Sequence, residues 1–206
     1  MSKKATAQFW DTAHRYLGHQ LKVIRQVSSH TIDSYRDCLN SFIDYLERVE
    51  NISRKKISFH NFGKETIKRY QTWMITEQGL APKTCNLRLT AIRSFLEYAA
   101  QEYLWLMPVY TDACTIAGVK TPNHAIEYFE PDEMTALLAA PSGTSRTDRR
   151  NQMMLIFLYD TAARVAEARQ VKVSDLHLDA GVPYVTLLGK GRNTGTFPLW
   201  KKRSFI

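Results

Sequence analysis

Apolar side chains return every three or four positions in three successive stretches of the first half of the chain, which commits that half to amphipathic helices around a shared core. In the first stretch, beginning near Ile32, the stripe is Tyr35, Leu39, Phe42, Leu46 and Val49, with Ser28 and Ser29 ahead of it as ready N-caps. The second runs from about Lys64 to Gln78, with Ile67, Tyr70, Trp73, Met74 and Glu77 along one side and Gly79 as its stop. The third opens with Pro82 in its first turn, keeps Leu89, Ile92, Leu96, Ala99 and Tyr103 inward, and is expected to end ahead of Pro108. An earlier helix over about Ala5 to Leu21 makes four.

Beyond Pro108 the pattern changes. The segment PVYTDACTIAGVKTPN keeps no period and carries Gly118 and two prolines, so it reads as a linker over 108–124 between a helical domain over 1–107 and a second domain over 125–206. In the second domain Glu130, Pro131, Asp132 and Glu133 form an acidic first turn that leads into Met134, Leu137 and Leu138, and this helix is expected to end at Pro141. Asn151 to Asp160 contains the unbroken run MMLIFLY, which predicts a buried core helix. Tyr184 to Leu188 is β-prone, and Gly189, Lys190, Gly191, Arg192 and Asn193 make a turn cluster from which Thr194 to Leu199 returns as a second strand.

Lys and Arg number 28 against 20 for Asp and Glu, a net charge of +8 that favours a polyanionic partner, nucleic acid first. On the third periodic helix Lys83, Asn86, Thr90 and Arg93 also step by three and four, forming a cationic, hydrogen-bonding face opposite the apolar one. Ser28, Ser29, His30 and Arg36 stand at the start of the first, and Lys120 lies in the linker. Singly, each of these is an ordinary solvated surface; together they can line two sides of a DNA duplex. Cys38, Cys85 and Cys114 show no metal-type spacing and suit a reducing cytosol. The N-terminus lacks the apolar stretch of a signal peptide, and Met153 to Tyr159, the longest apolar run, is too short to span a bilayer. A cytoplasmic protein without membrane contact is therefore expected.

The block TAARVAEARQVKVSDLHL, followed by VTLLGKGRNTGTFPL, resembles the first catalytic box of the tyrosine recombinases, the family of phage integrases and Xer recombinases. Arg164 with Glu167 three residues on, then Val173, Ser174 and Asp175, then the glycine-flanked Lys190 between two strands, carry the likeness. The stretches TIDSYRDCLNSFIDYL and APKTCNLRLTAIRSFLEYA resemble that family's core-binding domain. The resemblance implies a mainly α chain: a four-helix, SAM-like core-binding domain, then the first part of an α+β catalytic domain with a small β-hairpin. It also implies roles. Arg164 would hold a non-bridging oxygen of the scissile phosphate, Glu167 would orient the site, and Lys190 would protonate the leaving 5′ oxygen. A guanidinium suits its part because it stays ionised and offers two parallel charge-assisted hydrogen bonds.

Two departures stand beside the match. Ala162 and Ala166 occupy positions where the family commonly has glycine and serine. The family's His-x-x-Arg box and its tyrosine nucleophile are not found, since the last histidine is His177 and the last tyrosine is Tyr184 within a predicted strand. The chain is accordingly expected to stop before the cutting residues and to be inert alone, since covalent catalysis needs a positioned nucleophile. Three readings follow: a recombinase fragment that binds double-stranded DNA, beside other protomers on that DNA; a non-catalytic DNA-binding module at recombination sites; or a helical protein-interaction protein. None calls for a metal or small-molecule cofactor, because arginines and a lysine supply the positive charge.

Overall fold

The computed structural model describes residues 3–122, 127–189 and 193–199, and divides into two compact units, Met1–His124 and Ala125–Ile206.

The first unit is helical. Helix α1 (Lys3–Arg15) does not continue to Leu21 at α-pitch as expected; at Tyr16 it widens into a π-helical stretch, Tyr16–Ile24. The wider pitch brings residues five apart back onto one face. Tyr16 and Leu21 are both buried as a result, and the Tyr16 hydroxyl donates to Ser94 Oγ at 2.9 Å. Helix α2 (Ser29–Arg48) starts where its cap predicts, with Ser28 Oγ accepting from the Thr31 N–H at 3.3 Å. Two short 3-10 turns, Arg54–Lys56 and Phe59–Phe62, lead into α3 (Lys64–Thr76). Gly79 then reverses the chain at φ +59°, a conformation open to glycine at little cost, and Pro82 opens α4 (Pro82–Glu102).

The helices close on an aromatic core. Phe42 lies 4.8 Å from Phe62 and 5.0 Å from Tyr70 between ring centroids, while Phe9 packs edge-on against Phe59 and Phe95. Tilted and edge-to-face pairs of this kind satisfy the ring quadrupoles as well as burying area. The predicted inward residues Leu89, Ile92, Leu96 and Ala99 are buried, whereas Tyr103 is only half-buried at the helix end.

The expected linker needs correction. Helix α4 ends at Glu102, ahead of Pro108 as expected, but Pro108 itself sits in the first turn of another helix, α5 (Met107–Cys114), where its missing N–H costs nothing. Leu106, Ala113 and Ile116 join the core, and Val109, Tyr110 and Val119 pack on it. Much of 108–124 thus belongs to the first unit. The segment is short and without strong caps, and is held by partners distant in sequence.

In the second unit α6 (Pro131–Ala139) opens as its acidic turn predicts, with Glu133 accepting from the Glu130 N–H at 2.9 Å. Helix α7 (Arg146–Thr161) contains the apolar run, but the run is not a buried core: Met153 is 67% exposed, Met154 and Tyr159 are also exposed, and Leu155 to Leu158 are half-buried. The described elements around it offer too little apolar surface to cover all its sides. After the short α8 (Val165–Ala168) comes an antiparallel sheet in the order β1 (Leu176–His177), β2 (Tyr184–Leu188), β3 (Thr194–Pro198). The expected hairpin is β2–β3, paired Val185 to Phe197 and Leu187 to Gly195; the two-residue β1 is an addition too short to show a period. Val185 and Leu187 face inward together, as strand alternation requires.

Candidate nucleic-acid interface

In the second unit the site begins at the end of α7. Ala162 adopts the left-handed conformation (φ 49°, ψ 26°), which stops the helix and swings the chain into α8. Beside it Thr161, itself buried, donates from Oγ1 to the Phe157 carbonyl at 2.7 Å and accepts from the Ala163 N–H at 3.2 Å. Two residues on, Arg164 caps α8. Glu167 accepts from the Arg164 backbone N–H at 2.8 Å and from its guanidinium at 2.7 Å. The Glu167 carboxyl is held below the usual carboxylate range, first by that backbone N–H and then by the guanidinium.

The two side chains are unequal in exposure, 72% for Arg164 and 14% for Glu167. The carboxylate is seated and the guanidinium extends from it toward solvent. Both line a cleft of about 490 Å³ with Leu187, Gly189, Asn193 and Phe197. Gly189 packs closely there: a Cβ on it would lie 3.3 Å from the Asn193 carbonyl, a tight contact, and 3.6 Å from Glu167 Oε1. The base of the hairpin therefore meets the Arg164–Glu167 pair. Lys190, the next residue, lies outside the described residues. An ionised guanidinium anchored at one edge by a carboxylate, at an open cleft, suits a phosphate oxygen.

The residues predicted on the first unit fall into three groups. Ser29, His30 and Arg36 are exposed at the start of α2, while Ser28 is engaged as its cap and Arg36 pairs with Asp33. Ser29 and Arg36 line a groove of about 520 Å³ with Trp10, His14, Lys22 and Asp33. His14 and Lys22 were missed by sequence reasoning because a periodic pattern marks one helix's face but not which other helix lies beside it. On α4, Lys83 and Thr90 are exposed, and Thr90 donates back to the Asn86 carbonyl at 2.9 Å. Asn86 and Arg93 differ: Arg93 reaches the carbonyl of Ala113 in the last turn of α5 and that of Ile116 just beyond it, and Asn86 reaches Val119 further on. Lys120 is exposed one residue beyond Val119. Among the described residues no three His, Cys, Asp or Glu side chains are grouped to hold a metal, and no helix is long and apolar enough to cross a membrane.

A helical unit followed by an α+β unit with a carboxylate-anchored arginine beside a β-hairpin defines a class, and sequence comparison agrees with it. Residues 14–103 match the phage integrase N-terminal SAM-like domain, and residues 127–204 match the phage integrase family. The chain belongs to that family, the tyrosine recombinases. It is 35% identical over 184 residues to the tyrosine recombinase XerD of Halalkalibacterium halodurans, covering 88% of this chain and 57% of that protein. With the tyrosine recombinase XerC of Staphylococcus haemolyticus it shares 26% over 180 residues, 87% of this chain and 57% of that protein. The chain thus spans little more than half the length of either relative. Among solved structures, the Tn1549 transposon integrase in complex with transposon right end DNA aligns with a TM-score of 0.64 at 14% identity, over 96% of this chain and 61% of that one. The XerH site-specific recombinase bound to its difH substrate aligns at 0.58 and 18% identity, over 85% of this chain and 49% of that one. At these identities the likeness is one of fold.

Proposed function

We propose that this chain is the duplex-binding and phosphate-holding part of a site-specific DNA recombinase, working in the cytoplasm on nucleoid DNA and alongside other protomers there. The observation that carries this reading is the Arg164–Glu167 pair at the open cleft beside the hairpin base. Arg164 would take a non-bridging phosphate oxygen with the N–H groups that Glu167 leaves free. Glu167 would keep the guanidinium in place, and Lys190 would serve the leaving 5′ oxygen. The whole protein would break and rejoin DNA through a 3′-phosphotyrosine. The 206 residues themselves bind without cutting, because their sequence holds no His-x-x-Arg box and no Tyr after Tyr184. Relatives of known structure carry DNA in their complexes, and the net charge of +8 suits the same partner here.

A fluorescence-anisotropy titration on duplex DNA at several salt concentrations tests it. Lys83→Ala should lower the slope of log affinity against log salt by about 0.9, the value of one phosphate contact. Arg164→Ala should weaken binding likewise. Binding that an acidic protein displaces and DNA does not would favour the protein-interaction reading instead.

A further inference from the structure

The helical spacing of Asn86 and Arg93 is that of a surface face, yet in the fold both hold backbone, and so does Gln71 on α3. Arg93 donates to the Ala113 carbonyl at 3.1 Å and to that of Ile116, and Gln71 donates to the Ala117 carbonyl at 2.9 Å. Asn86 uses both ends of its amide on one residue, donating to the Val119 carbonyl at 2.9 Å and accepting from the Val119 N–H at 2.7 Å. The strap after α5 has no regular structure, so its peptide groups depend on such side chains. Gly118 belongs to the same arrangement: a Cβ on it would lie 3.0 Å from Asn86 Oδ1, too close for the amide to keep its place. Buried Ile116 anchors the strap from below.

The placement of charge follows from this. Val119 is fixed to Asn86, Lys120 is the next residue, and Lys83 stands one helical turn before Asn86; both lysines are exposed. We propose that the strap is a latch that makes Lys120 part of the cationic face of α4. Asn86 and Arg93 are then positioning residues for DNA binding rather than groups that touch DNA. This rests on the DNA-binding reading above and assigns these residues a different part in it. An asparagine whose amide oxygen and nitrogen both bind Val119 is held by the strap and not turned to a base edge, whereas a lysine delivered beside Lys83 adds one phosphate contact.

The test uses the whole chain, a mixed-sequence duplex and salt from about 50 to 200 mM. Lys120→Ala should flatten the log–log slope by about 0.9, so that the loss of affinity over this fourfold salt range is about 3.5-fold smaller than in the wild type. Asn86→Ala and Gly118→Ala should give the same flattening and speed hydrogen exchange at the Val119 amide. Combining Asn86→Ala with Lys120→Ala should add nothing further, while Lys83→Ala should still add its own decrement, showing that α4 is intact. A wild-type slope in Asn86→Ala, or a decrement that adds to that of Lys120→Ala, overturns the proposal. Faster exchange at Val119 with DNA affinity unchanged in all four variants, Lys83→Ala included, overturns the DNA-binding reading along with it, and the two failures are told apart by Lys83→Ala.

Discussion

Glu167 accepts two hydrogen bonds from a single residue, one from the backbone N–H of Arg164 at 2.8 Å and one from its guanidinium at 2.7 Å. The same carboxylate caps α8 and aims the arginine, so the cap and the anion site stand or fall together. Its ionisation is favoured in the fold, which sets the direction of a pH effect. An unpaired glutamate titrates near about 4.3. Because the folded value is lower, the stabilisation is fully present above that pH and is lost as pH falls through the folded value. Urea unfolding of the second unit should therefore weaken below about pH 4.3 in the wild type, and Glu167→Gln should remove that component. Parallel curves for the two proteins would show that the pairing contributes nothing.

Ala162 holds a left-handed conformation that costs a residue with a Cβ about 1 kcal/mol or more, and that glycine adopts freely. Ala162→Gly should stabilise the second unit by about 0.5–1 kcal/mol, the relief of strain being partly offset by the extra freedom of glycine in the unfolded chain. Denaturant midpoints of the two proteins decide it; a midpoint that falls would mean that the strain is not released.

Phe42 is fully buried among Tyr45, Phe62 and Tyr70, so Phe42→Ala should cost about 3–5 kcal/mol. Met153, although it lies in the most apolar run of the sequence, is 67% exposed, and Met153→Ala should change stability by less than about 0.5 kcal/mol. Chemical denaturation of both variants checks the contrast. Equal losses would mean that the α7 run is packed after all.

Burial pushes the phenols of Tyr16 and Tyr45 up to about 12. For Tyr45 the neighbouring Glu50 adds to the effect, while for Tyr16 the Ser94 hydrogen bond works against it. An exposed tyrosine titrates near about 10, so the stability these groups contribute is whole below that pH and is lost as pH rises through about 12. Phenolate absorbance should show these two ionising last, together with unfolding; their early titration in a still-folded chain would contradict the packing.

Local signals determined much of this protein. The Ser28 cap, the φ-positive Gly79, Pro82 in the first turn of α4 and the alternation through Val185 and Leu187 each act within a few residues, so the sequence states them directly. The pairing of Arg164 with Glu167 is of the same kind, since it joins the N-cap residue of α8 to the third residue of the helix that it opens. What the tertiary structure decided is which surfaces meet. The spacing of Asn86 and Arg93 is that of a solvated face, and only the return of residues 113–119 across α4 gives their donors carbonyls to hold. Pro108 reads equally as a stop or a start, and burial of Ala113 and Ile116 selects the start of α5. The run Met153 to Tyr159 has the hydrophobicity of a core, but burial depends on neighbours: the described part of the second unit leaves that helix half open, which composition cannot express.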